Sequence, residues 1–154
     1  MSGRTFEKFE LIKRVLAHGR FVLHGSNVDD LRWIEPRPPI GFGQGRGPTG
    51  VYATEDVASA IFFAVLDRKR VRWCAAQQGE YYVDPVEGAA MPWVPGAVYV
   101  LDRDDFEVID GNLVSTSAVK AVGKAPEHWS PVDCTRWSGA ASLECGARWR
   151  GNCP

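Results

Sequence analysis

Only three histidines occur in the 154 residues, and His24 has the most suggestive surroundings. It ends an apolar run, Phe21-Val22-Leu23, and is followed at once by Gly25, Ser26 and Asn27. An imidazole there suits either a capped strand entering a turn or a small-molecule site, since ligands often sit where backbone can approach closely. A second group is Tyr52-Ala53-Thr54, which closes another short run and leads into a segment carrying Ser59, Phe62 and Phe63. The third is a set of carboxylates, Asp102, Asp104, Asp105, Glu107 and Asp110, available for stabilising positive charge. Each group also has an ordinary reading. Tyr52, Phe62 and Phe63 suit a core, and the acids suit a solvated loop. Taken alone, a histidine like His24 is more often structural.

Metal chemistry is not indicated. His18 sits at a helix end and His128 after Pro126-Glu127, so neither has a metal-ligand spacing. Of the cysteines, Cys74, Cys134, Cys145 and Cys153, none forms a C-x-x-C pair. Free thiols are the default in a reducing compartment, and a tail disulfide would require export.

The elements that must position these residues follow from pattern. Phe6, Phe9, Ile12 and Leu16 recur at helical spacing and predict a helix over Thr5–Ala17, stopped by Gly19. Arg20–His24 reads as a buried strand and Gly50–Thr54 as a second. Thr54 or Asp56 can cap a helix running to Arg70, with Val57, Ala60, Ile61, Ala64 and Val65 on its apolar face. The basic run from Arg68 to Arg72 then reads as its solvated C-terminal end. "VRWCAA", "GEYYV" and "AVYVLD" read as strands, "DGN" as a tight turn, and Leu113–Gly123 as one further strand. Between the first two strands, the loop from Pro36 to Gly50 contains "GFGQGRGPTG". It is no phosphate loop, because prolines precede it, no lysine ends it and a strand follows. A mobile loop able to fold over a ligand is the expectation. The order of elements is α+β rather than alternating βαβ.

The length fits one domain with a real core. We expect residues 1–125 to form it, with 126–154 a C-terminal extension packed on the same domain. A formal net charge of −1 gives no indication of nucleic-acid binding. No apolar stretch reads as a leader or membrane span, so the expectation is a cytoplasmic protein, monomeric in the simplest case.

The ordered pieces "LHGS" (23–26), "GVYAT" (50–54) and "VASAIFF" (57–63) resemble the ADP-ribosyltransferase superfamily. That family includes poly(ADP-ribose) polymerases, diphtheria-type toxins and rifamycin-modifying ADP-ribosyltransferases. "GAVYVLD" and "STSAVKAVG" look most like the closing strands of the rifamycin-modifying branch, so the resemblance runs from about Phe21 to Gly123. It implies split antiparallel sheets and NAD⁺ as substrate, with no metal, and transfer of ADP-ribose to an unidentified acceptor. It further implies that Gly25 pairs through its backbone with the nicotinamide carboxamide and that His24 bonds a ribose hydroxyl. Tyr52 and Phe62 or Phe63 would pack on the ring, and Ser26, Ala53 and Ser59 would complete the NAD⁺ site. His24, Tyr52 and an acid would be the catalytic set. The late-strand glutamate of most members has no counterpart, since Ser115-Thr116-Ser117 stands there. Asp102, at a strand end, is the first choice to replace it, followed by Asp105 and Asp110. Two alternatives remain open. One is an RNA 2′-phosphotransferase of the same fold, which asks for basic residues around a phosphate where only Arg20 and Arg46 offer themselves. The other is a non-catalytic NAD or ADP-ribose-binding module.

Overall fold

The computed structural model describes residues 3–39, 47–77, 80–86, 93–125 and 129. Helix α1 spans Gly3–Ala17 and buries Phe9 and Ile12. It stops where expected, at Gly19, whose φ of +71° lets its amide turn back onto the Leu16 carbonyl at 2.9 Å. Strand β1 (Phe21–Ser26) follows, then the two-residue β2 (Trp33–Ile34) and β3 (Val51–Ala53).

Helix α2 is shorter than the sequence pattern predicts, covering only Val57–Val65. Asp56 caps it, taking the Ser59 amide at 2.8 Å. At Leu66 the chain becomes extended, and Arg68–Arg70 form a separate 3-10 turn capped by Asp67. The basic run is therefore not the end of α2, because Asp67 offers its own amide partner and starts a new turn.

A hairpin of β4 (Val71–Gln77) and β5 (Glu80–Pro85) comes next. Strand β6 occupies Ala97–Asp102. Strands β7 (Glu107–Ile109) and β8 (Asn112–Ser115) form a hairpin around Asp110 and Gly111, at φ +49° and +78°. The stretch read as one strand over Leu113–Gly123 is instead β8, β9 (Val119–Lys120) and β10 (Gly123–Lys124). Ser115 Oγ donates to the Ser117 carbonyl at 3.1 Å, a local turn that ends β8 and sends the chain to a different sheet.

The described residues are α+β with two α-helices and antiparallel pairings. One sheet has the order β1-β6-β10 and a second β3-β8-β7, with β2-β9 and β4-β5 as separate pairs. The first two sheets meet at one point, where Leu23 and Thr54 exchange backbone bonds of 2.8 and 2.9 Å. One core cluster lies between β1 and the helices, centred on Leu23, Ile61, Phe62, Val98 and Trp129. The other joins Val22, Tyr99 and Leu101 to Val51 and Val119. Of the expected extension from residue 126, only Trp129 lies among the described residues. It is fully buried and exchanges backbone bonds with Gly96 at 2.7 and 2.9 Å. No helix among the described residues is long and apolar enough to cross a membrane.

Candidate functional site

The site grows from a ladder that opens. With Leu23 opposite Thr54, the next antiparallel pair would set Gly25 opposite Tyr52. That pair does not form. By strand alternation Tyr52 directs its carbonyl to the β1 side, and there it accepts a hydrogen bond at 2.8 Å from Nδ1 of His24. The His24 ring thus takes the carbonyl that would have met the Gly25 amide. On the other edge of β1, the carbonyls of Val98 and Val100 point away to β10, accepting from Ala125 at 2.8 Å and Val122 at 2.9 Å. Gly25 pairs with Val98 without hydrogen bonds, so among the described residues its N–H and C=O have no partner. An amide-like ligand would satisfy both groups at once.

A carbonyl only accepts, so His24 carries its proton on Nδ1, and in the neutral ring Nε2 is an acceptor. Burial pushes this imidazole down from 6.5 to about 4, opposed by the bond to Tyr52 and aided by the positive charges of Arg68 and Arg37. At neutral pH Nε2 is therefore an acceptor nitrogen, suited to a hydroxyl.

Gly25 is needed for a second reason. A Cβ there would run into the Ala60 carbonyl oxygen and stand 2.5 Å from the Ala64 amide. The strand touches the backbone of α2, so the missing side chain makes room for the helix, while the open N–H and C=O lie in the sheet plane.

The remaining candidates divide. Phe63 is half-buried on the turn of α2 against Gly25, with its ring 5.0 Å from that of Phe62. Phe62 itself is fully buried, packed on Tyr81 at 4.8 Å, and belongs to the core. Ser59 is held by Asp56, its hydroxyl donating at 2.5 Å. Ser26 Oγ accepts the Val28 amide at 3.1 Å and shapes the exit from β1. Ala53 packs on the second core cluster. The Tyr52 hydroxyl donates to the Pro48 carbonyl at 2.8 Å, pinning the segment that enters β3. Burial raises the pKa of that phenol, as does the charge of Asp110.

Asp102 is not brought to the opening. It pairs with Phe21 in the register, roughly 13 Å along the strand from Gly25. Its carboxylate accepts the Asp104 amide at 3.1 Å and pairs with Arg20 at 3.2 Å. These contacts hold its pKa below the usual range, the amide first and Arg20 second. Asp110 is the acid of this segment whose charge acts on Tyr52.

Sequence reasoning missed Arg37 and Arg68. Arg37 exchanges backbone bonds of 3.0 Å with Gly50, next to β3, and Arg68 places its guanidinium 6.0 Å from the Phe63 ring centre. Residues 40–46, including Arg46 and the middle of the expected mobile loop, lie outside the described residues, as do Cys134, Cys145, Cys153 and His128. Among the described residues no group of three or more His, Cys, Asp or Glu could hold a metal ion. Comparison with protein-family models, curated proteins and solved structures finds no match to this chain.

Proposed function

We propose that this chain has an ADP-ribosyltransferase-type fold and acts as an NAD⁺-dependent mono-ADP-ribosyltransferase. The opened ladder carries the reading. Gly25 offers one donor and one acceptor side by side, the complement of a primary carboxamide such as that of nicotinamide. His24 offers a neutral acceptor nitrogen next to it for a ribose hydroxyl, and Phe63, whose backbone abuts Gly25 and whose ring already stacks with Arg68, is the aromatic residue assigned to the nicotinamide in this reading. The strand sequence β7-β8-β3 meeting β1-β6-β10 fits split sheets with a cleft at the parting.

In the proposed reaction the bond from ribose C1′ to the nicotinamide nitrogen breaks, and its electron pair neutralises the pyridinium. The acceptor's nucleophile bonds to C1′ and releases its proton. Positive charge spreads over the ribose in between, so the enzyme contributes positioning and a nearby carboxylate. Asp110 takes that role in this reading because its charge acts on Tyr52, although the register sets it, like Asp102, four residues past the level of Gly25 and Tyr52. The test is release of nicotinamide from NAD⁺ by the purified chain, with wild type compared to His24→Ala. Nicotinamide release equal in both, or NAD⁺ binding without any release, removes the transferase assignment. The second outcome favours a binding module.

A further inference from the structure

We propose that the outer face of the β2-β9 ribbon, around Trp33, Lys120 and Val122, docks an acidic peptide segment of a protein partner. Strand alternation and register bring these side chains together. Ile34 and Val119 are opposite each other in the ribbon and buried in the second core cluster. Their neighbours Trp33 and Lys120 are likewise opposite, and so share the other face. The Ala121 amide donates to the Arg32 carbonyl at 2.9 Å, which makes Trp33 and Lys120 a non-hydrogen-bonded pair, the kind whose side chains stand closest. Past β9 the alternation holds, with Ala121 packed on the core and Val122 exposed. A ribbon with one face on a core normally keeps the other face polar. Here Trp33 and Val122 are each 55% exposed, and both line one cavity of about 800 Å³. The wall of this cavity is braced. The buried Tyr99 hydroxyl donates to the Val28 carbonyl at 2.8 Å and accepts the Leu31 amide at 3.2 Å. Lys124 Nζ holds Asp29 at 2.6 Å and Asp30 at 3.2 Å. The approach to Trp33 is thus ordered before a partner arrives, and little ordering cost falls on this side. The lining carries the cations Arg32, Lys120 and Lys124 against one acid, Asp30, in a chain whose net charge is −1. An apolar centre with a cationic rim complements acids flanking an apolar side chain. Trp33 is an open platform on which a small molecule would keep much of its surface in water. A phosphate backbone asks for a longer track of cations than these three.

None of these residues belongs to the proposed NAD⁺ site, so docking and turnover can fail separately. The probe is a displayed library of random peptides, selected on the immobilised full chain. Acidic peptides carrying an aromatic or aliphatic residue are the expected enrichment. A fluorescein-labelled synthetic copy of the most enriched peptide should bind wild type in an anisotropy titration and weaken with added salt. Trp33→Ser and Lys120→Glu should each reduce its affinity about tenfold or more. Both side chains are exposed, so the variants keep their fold, which circular dichroism checks. Val108→Ser, at an exposed apolar position in another sheet, should leave the affinity unchanged. No enrichment over bare resin, enrichment of peptides without acids, or equal binding by wild type, Trp33→Ser and Lys120→Glu overturns the inference. Two further results overturn it by naming another occupant. One is a dimer in sedimentation that Trp33→Ser dissolves, which assigns the face to a second copy of this chain. The other is a single-stranded DNA oligonucleotide that binds more tightly than the peptide and is lost in the same variant.

Discussion

Nδ1 of His24 donates to the Tyr52 carbonyl at 2.8 Å, closing by a side chain a ladder the backbone leaves open. The imidazole is held neutral, with its pKa lowered from 6.5 to about 4. The unfolded chain therefore binds more protons than the folded one between these values. The stability this histidine contributes is fully present above pH 6.5 and is lost as pH falls toward 4, at most about 3 kcal/mol. Imidazole NMR signals followed against pH check it. A His24 resonance titrating near 6.5 in the folded protein contradicts the assignment. His24→Ala should keep the fold and lose nicotinamide release by about 10²-fold or more.

Substitution at Gly25 acts on folding before it acts on ligand. Gly25→Ala drives a methyl group into the Ala60 carbonyl and the Ala64 amide. Both are helix backbone that cannot swing aside. A loss of more than about 3 kcal/mol, or no folding at all, is expected. Chemical denaturation measures it, and a Gly25→Ala protein as stable as wild type means that α2 does not sit on β1 as described.

The acids Asp110 and Asp102 should separate cleanly. Asp110 has φ +49°, a conformation asparagine adopts readily, so Asp110→Asn leaves the hairpin intact. It should reduce nicotinamide release at saturating NAD⁺ by about 10²-fold. Asp102→Asn loses an Arg20 pair and weakens a cap, so it should shift stability slightly and leave turnover within a few-fold. The reverse result returns the catalytic role to Asp102.

Neighbouring phenylalanines give the sharpest contrast. Phe62→Ala empties a fully buried position and should cost about 3–5 kcal/mol of stability. Phe63→Ala, half-buried beside Gly25, should cost less and weaken NAD⁺ more. Thermal melting paired with NAD⁺ titration reads both effects. Equal losses of affinity in the two variants would remove Phe63 from the site.

The strand at Ala97–Asp102 was legible to the residue, because its continuous apolar run has both sides covered. His24 and Gly25 stood out because those residue types end an apolar run, but the strand does not stop at His24 as expected: it runs on to Ser26, since Gly25 and Ser26 still pair with Val98 and Ala97. What could not be read was the parting of the sheets. It depends on which partner takes the Tyr52 carbonyl, a choice made between residues 28 positions apart. Arg37 and Arg68 were hidden for a related reason. One sits among prolines and the other in a basic run, and only the fold sets Arg37 beside Gly50 and Arg68 over Phe63. Leu113–Gly123 alternated well enough for one strand, yet Ser115 turns the chain by a bond to its own backbone.

Gly25 and Gly96 both lie against the backbone of α2, and a methyl group at Gly96 would collide with the Ala64 carbonyl. The scaffold thus claims Gly25 independently of any ligand. In a lineage without the proposed chemistry, His24 and Asp110 would be free to drift, while this glycine would be retained to keep the helix seated. A His-Gly pair that has become Xaa-Gly in a descendant would then be a vestige of the site, and the glycine alone would say nothing about whether the descendant still binds.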